Sequence, residues 1–127
     1  MKIRCATDSI RLRLRKPELQ TLTESGSIEE SVQVTPCQIF RYRIVLHEKE
    51  GVLVQFQEGA LEVGLPKQMA FNWASSTDVG LSMDLPNGKS TALQLLLEKD
   101  FPCIGRVGEN KQDFFGELAD NTGQNPC

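Results

Sequence analysis

Displaced along itself by 51 positions, the sequence sets apolar residue on apolar residue, with residues 2–49 falling on 53–100 without a gap. Ile3 meets Val54, Cys5 meets Phe56, Leu12 meets Val63, Leu14 meets Leu65, Leu22 meets Trp73, Ile28 meets Val79 and Ile44 meets Leu95. Lys16 with Lys67 and Ser31 with Ser82 are identities. A period of this length, present twice, implies two copies of one supersecondary unit. Neither copy can cover its own apolar face, so the two are expected to share one core, and neither is expected to fold alone. The repeat constrains architecture strongly and chemistry hardly at all.

With 127 residues, the chain is expected to form a single domain that buries a core without disulfide staples. Its parts are a first repeat at 2–49, a second at 53–100 and a polar tail at 104–127, in which Gly105, Gly108, Gly116 and Gly123 surround the apolar pair Phe114-Phe115. The tail reads as a segment that docks through two rings and frays beyond them. No apolar run approaches the roughly 18 residues that span a bilayer, and the polar, Arg-containing start is no secretory signal. A cytoplasmic protein without a membrane partner is expected. Cys5, Cys37, Cys103 and Cys127 lack the short paired spacing of zinc sites. Cys5 alternates with Ile3 and reads as a small buried hydrophobe.

Within the first repeat, residues 2–6 and 9–15 alternate polar with apolar around Thr7-Asp8, the pattern of a hairpin that buries Ile3, Cys5, Ile10, Leu12 and Leu14. Pro17 suits a first helical turn, Leu19 and Leu22 share a face, and Gly26 can end the helix in the left-handed conformation. Strands are expected at 27–34 and 38–46 around Thr35-Pro36, with Phe40, Tyr42 and Ile44 on one face. The second repeat replays the order: strands at 52–57 and 60–65 around Glu58-Gly59, a helix after Pro66 through Met69, Ala70 and Trp73, and strands at 79–85 and 91–98 around Asn87-Gly88. The expected fold class is α+β, mainly antiparallel, with eight strands and two short helices. Two such halves related by an approximate twofold can form an open or closed barrel-like sheet.

The net charge of −3 argues against a general nucleic-acid binder, yet the charge is unevenly spread. Residues 1–49 hold nine Lys and Arg against six acids, whereas residues 50–127 hold five against eleven. In the first hairpin Lys2 is expected opposite Arg13 and Arg4 opposite Arg11, on the side away from the core. Arg41 and Arg43 alternate in the same way and can add to that face. Like charges across a strand pair repel, so water, a carboxylate such as Glu29, Glu48, Glu50 or Glu62, or a bound anion must relieve them. Lys2, Arg4, Arg11, Arg13, Arg41 and Arg43 are therefore the candidate binding residues, with an anionic small molecule as the candidate partner and a solvated, salt-bridged face as the plain alternative.

Catalytic patterns are thin. His47, the single histidine, stands at a strand end and reads as solvated rather than as a general base. Nucleophile elbows, phosphate loops and dinucleotide fingerprints are absent. Glu48 with Glu50, and Glu98 with Asp100, can each set two carboxylates on one side of a strand end, but the repeat sets Glu48 on Lys99, and no metal or cofactor is assigned. Phe71 and Trp73 read as packing aromatics, without the interleaved bases of a nucleic-acid platform.

Met1-Lys2-Ile3-Arg4, then Ser9-Ile10-Arg11-Leu12-Arg13-Leu14, a short helix, and Leu97-Glu98-Lys99-Asp100-Phe101-Pro102-Cys103 resemble a family of short bacterial proteins known only as domain of unknown function 7009. That resemblance implies no activity. The eight duplicated strands with alternating charges are also similar to triphosphate-tunnel (CYTH-like) barrels, which hold triphosphates on inward Arg and Lys and a divalent metal on inward Glu. Those barrels typically begin with a Glu-x-Glu-x-Lys strand, and Lys2-Ile3-Arg4-Cys5-Ala6 lacks both acids. The expectation is a non-enzymatic binding or accessory module. The alternative is an enzyme or binder acting on a phosphorylated small molecule through the arginine-bearing face.

Overall fold

The computed structural model describes residues 1–100. Eight strands and two helices follow in the order β1 (Lys2–Ala6), β2 (Ser9–Leu14), α1 (Lys16–Ser25), β3 (Ser27–Thr35), β4 (Gln38–His47), β5 (Leu53–Gln57), β6 (Ala60–Pro66), α2 (Lys67–Ser75), β7 (Gly80–Pro86) and β8 (Ala92–Lys99). The strands form two four-stranded sheets, β1-β2-β8-β7 and β3-β4-β6-β5, and not the single closed barrel that was one of the expected forms. Each sheet takes one hairpin from each half of the chain. The central pairs, β2 with β8 and β4 with β6, are parallel, and all the others are antiparallel. The helices carry the chain between the sheets: β2 runs through α1 into the other sheet, and β6 returns through α2.

Local chemistry sets the elements. Arg15 caps α1, with Glu18 reaching back to the Arg15 N–H at 2.7 Å, and Gly26 closes the helix at φ +91°, its N–H bonded to the Leu22 carbonyl at 2.9 Å. Leu19 and Leu22 of α1 and Ala70 and Trp73 of α2 turn into one core with Leu12, Leu14, Ile44, Val63, Leu65, Leu95 and Leu97. Both sheets and both helices thus contribute to a single apolar interior.

Because the central pairs are parallel, all four hairpin turns lie at one end of the sheets and the helices at the other. Inward-facing positions next to the turns therefore have no helix over them. Cys5, expected to be buried, is exposed for this reason, as is its counterpart Phe56. Phe71, expected to pack, lies on the outer side of α2 beside Lys67. The Asn87-Gly88 turn is a five-residue connection rather than a tight one, since Pro86 pairs with Ala92. The tail, Phe114-Phe115, Cys103 and Cys127 lie outside the described residues.

The strand pairing also corrects the spacing between the halves. The first hairpins correspond at 51 positions, with Ile3 paired to Leu12 as Val54 is to Val63. In the second hairpins Ile28 pairs with Ile44 as Leu81 pairs with Leu97, a displacement of 53. The two extra residues enter between α2 and β7, where residues 76–79 stand in place of the single Gly26 after a helix one residue shorter than α1. A slip of two leaves every strand residue facing the same way, so alternation alone does not detect it.

Candidate functional site

The first hairpin places its basic residues as expected: Lys2 lies across from Arg13 and Arg4 across from Arg11, on the face away from Leu12 and Leu14. On the neighbouring strand the parallel register sets Glu98 beside Arg13. Glu98 Oε1 accepts from Arg13 Nε at 3.2 Å and stands 3.6 Å from Arg11 Nε, while Asp100 reaches Arg13 Nη1 at 3.9 Å and Lys2 Nζ at 3.7 Å. Two carboxylates therefore bridge three of the four cations. Among the described residues Arg4 is in no ion pair. Glu98 and Asp100, the two carboxylates expected on one side of this strand end, thus pair with Lys2, Arg11 and Arg13.

Arg41 and Arg43 do not join that face. They lie on β4 in the other sheet, because β4 pairs with β3 and β6 and with no strand of the first sheet. Arg43 is clamped from both neighbours, donating from Nε to Glu62 at 2.9 Å and from Nη1 to Glu29 at 3.0 Å. Those bonds, to Glu62 first and then Glu29, push its guanidinium pKa above the ordinary value. Arg41 Nε stands 3.7 Å from Glu29. With Gln55 and Gln57 these side chains line a polar pocket of about 390 Å³, and its lining holds two arginines against Glu29, Glu58 and Glu62. The pocket thus carries one negative charge more than positive, the reverse of what a phosphate needs. Of the four carboxylates expected to relieve the arginines, Glu29 and Glu62 do so and Glu48 pairs with Lys67 instead.

A further ionic cluster lies inside. The Met1 ammonium is buried and bonded to Glu18, with Glu30 Oε2 at 3.0 Å, and the buried Tyr42 hydroxyl donates to the Met1 carbonyl at 3.0 Å. Burial works against a charged Glu18, but bonds from the Met1 ammonium and from the Arg15 backbone and side chain together outweigh it and hold the carboxyl below its usual value. Burial, reinforced by Glu30 and Glu18, pushes Tyr42 up. The sequence carries one signal for this cluster: Glu30 sits between Ile28 and Val32 on the side of β3 that alternation assigns to the core. His47 is half-buried, its ring against Gly64, and its Nδ1 accepts the Lys49 N–H at 3.1 Å.

The first-hairpin motif and the Leu97–Asp100 segment that carries Glu98 thus share one face of a sheet, and the same chain from residue 1 to residue 118 matches a single family model. The chain belongs to a family of unknown function, DUF7009. DUF7009 membership extends past the described residues into the tail, so residues 101–118 belong to the family unit. Comparison with curated proteins and with solved structures returns no match. The similarity to triphosphate-tunnel barrels is limited to strand number and alternating charge, since the described strands form two separate sheets. No helix among the described residues is long and apolar enough to cross a membrane.

Proposed function

We propose that this DUF7009 protein is a non-enzymatic binding or accessory module of the cytoplasm, built on an internal repeat, whose arginine-bearing faces maintain its sheets. The observation that carries this reading is the occupancy of the guanidinium forks: Glu29 and Glu62 hold Arg43, and Glu98 and Asp100 hold Arg13. An entering anion must displace carboxylates already tethered beside the forks, which exchanges one negative partner for another with little net gain. Among the described residues Cys5 and Cys37 form no disulfide, which fits a reducing compartment.

One observation favours the second reading, a binder of phosphorylated small molecules. Arg4 lies across from Arg11 with no carboxylate partner among the described residues, so an anion there would meet a fork that is not already filled. Thermal melting with millimolar pyrophosphate, at low and moderate salt, separates the two. The accessory module shows no ligand-dependent stabilisation. A rise in melting temperature that is lost in Arg4→Ala with Arg11→Ala overturns this reading and puts the phosphorylated ligand first, because a ligand that binds only the folded state raises its apparent stability.

A further inference from the structure

A sheet edge presents unpaired N–H and C=O groups, and folded proteins blunt such edges with charges, prolines, glycines or bulges. Among the described residues the two sheets have four edges, and three are treated in that way. β1 carries Lys2 and Arg4; β7 carries Gly80, Asp84 and Pro86; β3 carries Glu29 and Glu30 and a bulge between Gln33 and Thr35. β5 carries nothing of the kind. Its sequence, Leu-Val-Gln-Phe-Gln, has no charge, no glycine and no proline, and Leu53 and Phe56 are 52% and 64% exposed. Among the described residues nothing covers this strand, which is apolar on its inner face at Val54 and Phe56 and carries Leu53 beside Gln55 and Gln57 on its outer face.

We infer that β5 is the interface of a homodimer, in which the edges of two copies pair antiparallel about a twofold axis at Gln55. The occupant follows from what self-pairing places together. Around Gln55 each Phe56 faces Val54 of the second copy, an aromatic on a β-branched residue, which stabilises a strand pair and covers the ring that no helix reaches. No like charges are brought opposite each other, whereas the same operation on β1 about Ile3 sets Lys2 against Arg4. The outer face also continues across the axis. Within one copy Glu29, Arg43, Glu62 and Gln55 are successive register partners across β3, β4, β6 and β5. The row ends in an amide, which both donates and accepts, so Gln55 meets its own copy without an unmatched group. The two four-stranded sheets become one of eight strands.

Sedimentation velocity of the full chain between about 10 µM and 1 mM, a span that covers weak to moderate self-association, tests the assignment. The wild type sediments as a dimer of the 14.2 kDa chain, and Gln55→Lys, which sets like charges across the axis at an exposed position, weakens the dimer about tenfold or more. Circular dichroism of Gln55→Lys matches the wild type, and Arg4→Gln on β1 leaves association unchanged. A wild type that stays monomeric over the whole range overturns the proposal. So does a dimer that survives both Gln55→Lys and Phe56→Ser, which would place the interface elsewhere. Hydrogen exchange closes the remaining route: protected β5 amides in a monomer would mean that another segment of the same chain covers the edge, and would equally overturn it.

Discussion

Glu18 meets three demands at once. It ends the first turn of α1 as a cap partner, holds the Arg15 side chain, and neutralises the buried Met1 ammonium. Replacing it by Gln keeps the shape and removes the charge, leaving an ammonium in the interior with Glu30 alone. The expected loss is about 2 to 3 kcal/mol in urea unfolding at neutral pH, in the range of charge-assisted hydrogen bonds. The sign of the pH dependence follows from the lowered carboxyl pKa. The contribution of Glu18 is complete above the pKa of the unfolded chain and is lost as pH falls through the lower folded value. Glu18→Gln should therefore differ most from the wild type near neutrality, and the two should converge in strong acid. Equal differences at pH 7 and at the acid end would show that the carboxylate charge is not what the site uses. Beyond the core-side place of Glu30, little of this cluster is legible in the sequence, because α1 and β3 meet the chain start only through the tertiary fold.

Single elements were more readable, and their limits have a physical cause. The alternation around Thr7-Asp8 fixes the Lys2–Arg13 and Arg4–Arg11 register, since a slip of one residue would turn Leu12 and Leu14 to solvent. Gly26 was likewise legible as a helix terminus: it takes φ +91°, and its carbonyl then accepts from Leu46 N–H, tying α1 to β4. An added Cβ at Gly26 meets nothing within 4 Å, so Gly26→Ala isolates backbone strain. A loss of about 1 kcal/mol is expected by thermal or urea unfolding, from the left-handed conformation alone. No change would show that the helix end relaxes freely. The two-residue slip between the second hairpins was invisible for the reason that made the first register clear: a strand repeats every two residues, and Leu95 and Leu97 are equally buried.

At the scale of the whole molecule, neither half of the chain owns a sheet. β2 has its parallel partner in β8 and β4 has its partner in β6, so the central pairing of each sheet crosses between the halves. This arrangement assigns Arg41 and Arg43 to a different face from Arg11 and Arg13, and it supplies Glu98 and Glu62 as their partners. Period and alternation identify which residues point inward, but they contain no information on which strand lies beside which, and the candidate site was divided on that point. The same pairing makes folding of each half depend on the other. The most direct test cuts the exposed loop at Gly51 and follows residues 1–51 and 52–127 separately and mixed, by circular dichroism and thermal melting. Each fragment alone should lack a cooperative transition, since about fifty residues of half-paired sheet leave too much apolar surface in water, and the equimolar mixture should regain β structure and melt cooperatively. A cooperative transition from residues 1–51 alone, as a monomer, would contradict the account.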